Sequence, residues 1–232
     1  MIYTVPFACY TVGNGNANKL ISSAALAIPI CRKDVMMKRL ILVTSPPACG
    51  KTYVSKKLAE KLKHVVYLDK DTLIVLSKQI FAVAKEEYNR SSPFFNAMIR
   101  DYEYAAIVDL ALEALAYEDT VLINAPFTRE VRDAAYMNAL RDKLKGKNAR
   151  LTVIWVQADP EICRQRMVAR NSDRDTWKLN NWEKYISGVD FSIPKELDDP
   201  TTEDDLLIFN NNGDAEFDAS MRYVLGVIED NP

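Results

Sequence analysis

From residue 39 onward the chain alternates short apolar runs with longer stretches in which apolar positions recur every three or four residues. The short runs read as strands buried on both faces, and the longer stretches as helices with one apolar side. Strands are predicted over 39–44, 65–68, 120–124, 151–156 and 206–209. The first helix is predicted over 51–63, with Val54, Leu58 and Leu62 on one face, and the second over 72–84, with Leu73, Leu76, Ile80 and Val83 at helical spacing. A Ser91-Ser92-Pro93 break precedes a long helix predicted over 94–117. Next comes a helix over 129–145, with Ala134, Met137, Leu140 and Leu144 turned inward and Gly146 as its stop. A helix over 161–170, an irregular polar stretch and a short helix over 181–187 follow. The turn Asn210-Asn211-Asn212-Gly213 then leads into a final helix over 215–228. Strands and helices in alternation predict an α/β fold, a parallel sheet covered by helices on both faces.

Residues 1–36 do not share this pattern. Gly13-Asn14-Gly15-Asn16-Ala17-Asn18 precedes an apolar patch from Leu20 to Ile30, which Ser22, Ser23 and Pro29 interrupt. The patch is shorter than the ~20 residues of a membrane span and has no charged region ahead of it of the kind a signal segment carries. We read 1–36 as a loosely ordered extension, with a packed hairpin as the alternative, and 37–232 as the folded domain. Met36 and Met37, just ahead of Lys38-Arg39, are candidate downstream start sites.

A chain of 232 residues is long enough to bury a sizeable core, and 48% hydrophobic with 27% charged residues is ordinary for a soluble protein. The net charge of −2 argues against a surface dominated by nonspecific attraction to nucleic acid, though it leaves room for a local basic groove, so small partners are expected. Cys9, Cys31, Cys49 and Cys163 show no metal-ligand spacing, which suits a reduced cytoplasmic setting. His64, the single histidine, opens an apolar run and reads as a strand-edge residue.

Between the first strand and the first helix lies Ser45-Pro46-Pro47-Ala48-Cys49-Gly50-Lys51-Thr52, followed by Tyr53. A tight loop that turns from a strand into a helix aims the helix's first N–H groups, and the positive end of its dipole, at one point where phosphate oxygens fit. Gly50 allows close approach, Lys51 reaches the outer phosphates of a bound triphosphate, and the Thr52 hydroxyl suits the accompanying magnesium. The pattern is a P-loop whose first glycine is replaced by Ser45. Tyr67-Leu68-Asp69-Lys70-Asp71 then sets two carboxylates at the carboxyl end of the second strand, the edge at which open parallel sheets bind ligands. Beside a triphosphate, such a carboxylate can accept a proton from an attacking hydroxyl or order the metal shell; Asp71 also suits the N-cap of the helix that follows.

With these two segments the chain resembles P-loop kinases of the group that contains zeta toxins, polynucleotide 5′-hydroxyl kinases, gluconate kinases and antibiotic phosphotransferases. Val66-Tyr67-Leu68-Asp69-Lys70-Asp71-Thr72-Leu73 looks like the segment in which these enzymes carry the base for the acceptor hydroxyl, with Asp71 at the base position. The resemblance extends over about 39–212 in element order. It implies a nucleoside-monophosphate-kinase-like three-layer sandwich with sheet order 2-3-1-4-5, ATP and magnesium as cofactors, and a lid at about 171–180. Two departures matter. A basic residue usual three positions after the base is Ile74 here, which weighs against phosphorylated or polyanionic acceptors. The acid that Walker-type NTPases commonly place at the end of the third strand is Asn124, so Asp69 is the candidate to share the metal with Thr52.

Further along, Arg129 follows Ala125-Pro126-Phe127-Thr128, a look-alike of a substrate-contacting segment in nucleotide monophosphate kinases; it is read either that way or as a solvated first-turn residue. The richest basic cluster is Arg164, Arg166, Arg170 and Arg174. Arg166 and Arg170 share a helix face. The resemblance implies that Arg166, Arg170 and Arg174 close over the transferring phosphoryl group, with Lys178 and Trp177 in the lid, while Arg164 reads as a charged surface residue. Asn210 and Asn211 stand either at the adenine or in a simple turn. The helices over 72–117 are placed to line the acceptor's pocket, but no motif there identifies the acceptor. The resulting expectation is a kinase acting on a hydroxyl of an unidentified small molecule. The rivals are a nucleotide-binding module with slow or no hydrolysis, which Asn124 favours, and a zeta-toxin-like kinase of nucleotide sugars.

Overall fold

A computed structural model describes residues 37–194, 197 and 205–230. The readings of 1–36 fall outside these described residues, and so does the side chain of Arg174. Five strands, β1 (Lys38–Thr44), β2 (Val65–Asp69), β3 (Thr120–Asn124), β4 (Ala149–Gln157) and β5 (Asp205–Asn210), form a parallel sheet in the order β2-β3-β1-β4-β5. The helices are α1 (Lys51–Lys61), α2 (Ile74–Ala84), α3 (Pro93–Met98), α4 (Arg100–Ala114), α5 (Ala134–Lys145), α6 (Pro160–Arg170), α7 (Asp173–Asn180), α8 (Trp182–Ser187) and α9 (Asp214–Asp230).

The strands read as continuous apolar runs because both faces of the sheet are covered, and successive side chains go to opposite layers. Leu40, Leu42, Val121, Ile123, Val153 and Trp155 pack in one core with Ile107 and Ala111 of α4 and Met137 and Leu140 of α5. Ile41, Val43, Leu122, Ile154 and Val156 pack in the other with Val54 and Leu58 of α1 and Met221 and Val224 of α9. The register sets Val43 opposite Asn124, and Asn124 opposite Asp69, so the ends of β1, β3 and β2 meet along one sheet edge. Among the described residues no helix is long and apolar enough to cross a membrane.

Several local readings change. The long helix over 94–117 is broken at Ile99 (φ −128°, ψ −47°), whose buried side chain packs with Phe81 and Phe95. The apolar stripe over 72–84 is largely not the buried face of α2. Val75, Leu76, Ile80 and Val83 are exposed, while Ser77 and Phe81 point inward, because Ser77 donates its hydroxyl to buried Glu103. The polar stretch after 170 is helical as α7, and its inward residue is a charged one, Asp175. Helix α5 starts later than predicted, at a cap in which Asp133 accepts from Ala135 N (2.9 Å) and Tyr136 N (3.2 Å); Ala134 is therefore exposed rather than inward. Gly146 does end α5, but in right-handed backbone (φ −62°); the left-handed residue of that turn is Asn148 (φ 52°).

Candidate active site

The loop from Ser45 to Gly50 leaves β1 at the sheet edge and delivers the chain into α1. Ala48 (φ 64°) and Gly50 (φ 90°) are both left-handed, and Gly50 caps α1 with no side-chain hydrogen bond, which leaves the first-turn N–H groups directed at the loop's mouth. Gly50 is needed for space as well as conformation, since a Cβ there would lie 2.3 Å from Asn211 Nδ2. From behind, Asn211 Nδ2 donates to Cys49 O (2.8 Å), and Arg166 donates to both Cys49 O (3.3 Å) and Asn211 O (2.6 Å). The loop is thus tied through Asn211 to the end of β5 and through Arg166 to α6. Cys49 and Cys163 are buried free thiols, 3.6 Å apart, and the hydrogen bond between them, with burial, pushes the Cys49 thiol up, so it packs as a neutral group. Ser45, at the position of the missing glycine, is buried and donates to Pro46 O (2.7 Å).

Asn124 joins this loop to β2. Its Oδ1 accepts from Lys51 and from Ser55 Oγ (3.2 Å), while its Nδ2 donates to Asp69 Oδ2 (2.9 Å) and lies within reach of Tyr67 OH (3.2 Å) and Thr52 Oγ1 (3.3 Å). An acid at 124 would put carboxylate against carboxylate at that 2.9 Å contact, which a like charge disfavours. The amide instead lets one strand neighbour, Asp69, carry the charge. Asp69 also caps the turn that follows by accepting from Asp71 N (3.0 Å), and it accepts from Tyr67 OH (3.1 Å). The cap therefore belongs to Asp69, and Asp71, with its side chain 60% exposed and Lys70 Nζ at 3.7 Å, is left facing the cavity. Burial pushes the Lys51 ammonium down to about 8, against the pull of Asp69 and Asp71.

A cavity of about 670 Å³ opens over the loop, and it gathers Ser45, Lys51, Thr52, Asp71, Arg166 and Arg170. Pro46, Pro47, Ala48, Gly50 and Tyr53 also line it; Cys49 and Asp69 do not. Asp71 is the one carboxylate among its described lining residues. Arg129 and Lys178 line it too, whereas Trp177, which is 55% exposed, and Arg164, beside the Trp182 ring (5.6 Å), do not. Arg170 binds the buried carboxylate of Asp175 through Nε (2.8 Å) and Nη2 (2.5 Å), and Lys178 joins it (3.2 Å). Burial opposes charge on Asp175, but these hydrogen bonds outweigh it and hold the carboxyl below the usual carboxylate range. Arg174 stands on α7, next to this group in sequence.

The opposite wall holds residues that sequence patterns did not single out. Glu103 of α4, buried to 5% exposure, accepts from Lys70 (2.8 Å) and from both Nη groups of Arg90 (3.1 and 2.7 Å), as well as from Ser77. Burial disfavours its charge, yet these donors hold its carboxyl low. Arg100 pairs with Glu130 (2.6 Å) and Asp101 (3.0 Å). Lys70, Arg90 and Arg100 all reach the cavity.

Among known proteins, residues 40–191 match a family model described as an AAA domain. A comparison with curated proteins found no match. A solved structure of a proposed kinase from Chloroflexus aurantiacus j-10-fl is similar, with a TM-score of 0.55 at 18% identity, covering 85% of this chain and 100% of the other. A sugar kinase from Janibacter sp. HTCC2649 aligns with a TM-score of 0.51 at 12% identity over 83% of this chain and 95% of its own. At these identities the likeness is one of fold. The fold is that of P-loop kinases, and the chain belongs to the AAA domain family whose model spans residues 40–191.

Proposed function

We propose that the protein is an ATP-dependent kinase that transfers the γ-phosphoryl group to a hydroxyl of a small molecule. The observation that carries this reading is Asp71: a largely exposed carboxylate facing the same cavity as the phosphate loop, with Asp69 performing the cap that would otherwise occupy it. In this reading the loop N–H groups and Lys51 hold the β- and γ-phosphates. Asp71 accepts the acceptor's hydroxyl proton as its oxygen attacks the γ-phosphorus, and the bond to ADP breaks. Thr52 and Asp69 offer hard oxygen donors of the kind magnesium takes, and no group of three or more His, Cys, Asp or Glu among the described residues forms a metal cluster. Thr52 would ligate magnesium and Asp69 would order its shell, with phosphate oxygens and water completing it. Bound there, magnesium would neutralise the charge that builds on the phosphates.

Arg166 supports the loop through two carbonyls and faces the transferring group from there; Arg170, held by Asp175, and Arg174 close the lid side. This reading places the protein in the cytoplasm, where Cys49 and Cys163 stay thiols. A second reading rests on Asn124: a neutral end of β3 suits a module that binds ATP and turns it over slowly or not at all.

Calorimetry with ATP and magnesium, followed by an acceptor screen that detects phosphorylated product, tests the proposal. Tight binding that Lys51→Ala sharply weakens, together with a product, is expected. Equal ATP affinity in wild type and Lys51→Ala would refute the loop's role, and tight binding with no product would favour the module.

A further inference from the structure

The cavity wall opposite the phosphate loop is built for an anion. Lys70, Arg90, Arg100 and Arg129 line it, with Asp71 as the sole described acid facing in. Buried Glu103 sits behind Lys70 and Arg90, and buried Glu130 behind Arg100. Glu103 takes one N–H from each Nη of Arg90, and Arg100 meets Glu130 and Asp101 through Nη1. A guanidinium has five N–H donors, so both arginines retain donors for a ligand. Their planes are steadied by rings, Arg90 over Phe95 (4.8 Å) and Arg100 over Tyr104 (4.3 Å), so little ordering remains to be done on binding. Ion pairing within the fold accounts for Glu103 and Glu130. It does not account for Arg129, which lines the cavity and has no side-chain partner among the described residues.

We infer that the acceptor is a small hydroxylated compound bearing an oxyanion, a carboxylate or a phosphate monoester, which Arg90, Arg100 and Arg129 clasp while its hydroxyl meets Asp71. Fork-shaped donors match the planar carboxylate and the phosphate alike. This rests on the kinase reading. It also departs from the weight that Ile74 places against charged acceptors, because the cations come from the start of the turn after β2, from the segments around α3 and from the loop after β3, rather than from the helix position that Ile74 occupies.

The test is a panel of matched acceptors with ATP and magnesium: aldonic acids against their polyols, sugar phosphates against the sugars, and nucleoside 5′-monophosphates against nucleosides. The acids or the phosphates should be phosphorylated in clear preference to their neutral partners, and which series responds identifies the oxyanion. With the best acceptor, Arg129→Gln should raise KM by about 10- to 100-fold, the worth of a charge-assisted hydrogen bond, with the Kd for ATP as the control. Arg100→Gln should act likewise, but it leaves Glu130 buried without its partner. Arg129, which pairs with nothing, keeps the test decidable should that variant fail to fold. Equal or better turnover of a neutral partner, or an unchanged KM in Arg129→Gln, would overturn the inference and leave the kinase reading standing. Tight ATP binding with no product from any member would remove both.

Discussion

The two walls of the cavity solve the same problem, holding charged groups in place, with different chemistry. On the phosphate side Lys51 and the loop are positioned mainly by neutral groups, the Asn124 amide beneath Lys51 and the Asn211 amide and backbone carbonyls beneath the loop, with Arg166 as a charged brace. Among the described residues no carboxylate pairs directly with Lys51, which feels only the longer-range pull of Asp69 and Asp71. On the opposite wall the positioning is done by buried acids, Glu103 and Glu130, which hold Lys70, Arg90 and Arg100 by ion pairs. Neutral partners leave a cation's charge available but disfavour it by burial. Acidic partners stabilise the cation and make the wall depend on them.

The largest stability effect is thus expected from Glu103→Gln. It leaves buried Lys70 with only the exposed Asp71 carboxylate, 3.7 Å away, as counter-ion and strips Arg90 of its partner, a loss of about 3–5 kcal/mol by the usual cost of breaking a buried pair. Urea unfolding measures it. Because the Glu103 carboxyl is held low, its contribution is present above the usual carboxylate range and lost as pH falls through its depressed value, so the variant should also show a flatter acid limb. A loss under about 1 kcal/mol would mean that the ion pairs do not build this wall.

Gly50→Ala should cost less in stability, about 1–3 kcal/mol from strained backbone, and more in nucleotide affinity, since Asn211 would have to leave Cys49 O. An unchanged Kd for ATP would show that the tie beneath the loop is dispensable.

The mildest effect concerns pH. Burial lowers Lys51 to about 8, so its charge is disfavoured in the ligand-free fold. As pH rises above this value the folded protein has lost the proton that the unfolded chain still holds, and the stability of the ligand-free protein gains. ATP affinity moves the other way, weakening as pH climbs through about 8, because the phosphates require the ammonium. Lys51→Arg, which stays charged, should flatten that profile in calorimetry between about pH 7 and 9.5. A wild-type profile already flat over this range would contradict the burial of the charge.

The same contrast explains what could be read from sequence. The phosphate loop is local: eight consecutive residues between a strand and a helix carry its geometry, and Asp69, Asp71 and Asn124 stand at strand ends that the apolar runs mark. The opposite wall is not local. Lys70 and Glu103 are 33 residues apart, and a buried Glu on α4 looks like any exposed helical acid until its partners are placed. Helix α7 escaped for a related reason, since its inward residue is Asp175, which apolar periodicity does not register. The outward stripe of α2 misled in the opposite sense. Arg166 and Arg170 do share a face of α6 as their spacing predicts, but one turns to the phosphate loop and the other to α7, a division only the tertiary contacts reveal.

Asp71 is the proposed base, left free of the capping role that Asp69 performs. Asp71→Asn keeps the size and removes the carboxylate, and single-turnover phosphoryl transfer to the acceptor found by the panel measures the result. With ATP affinity and stability essentially unchanged, the rate should fall by about 10²- to 10⁴-fold, the usual contribution of acid–base catalysis. Transfer at the wild-type rate in Asp71→Asn would rule out Asp71 as the base.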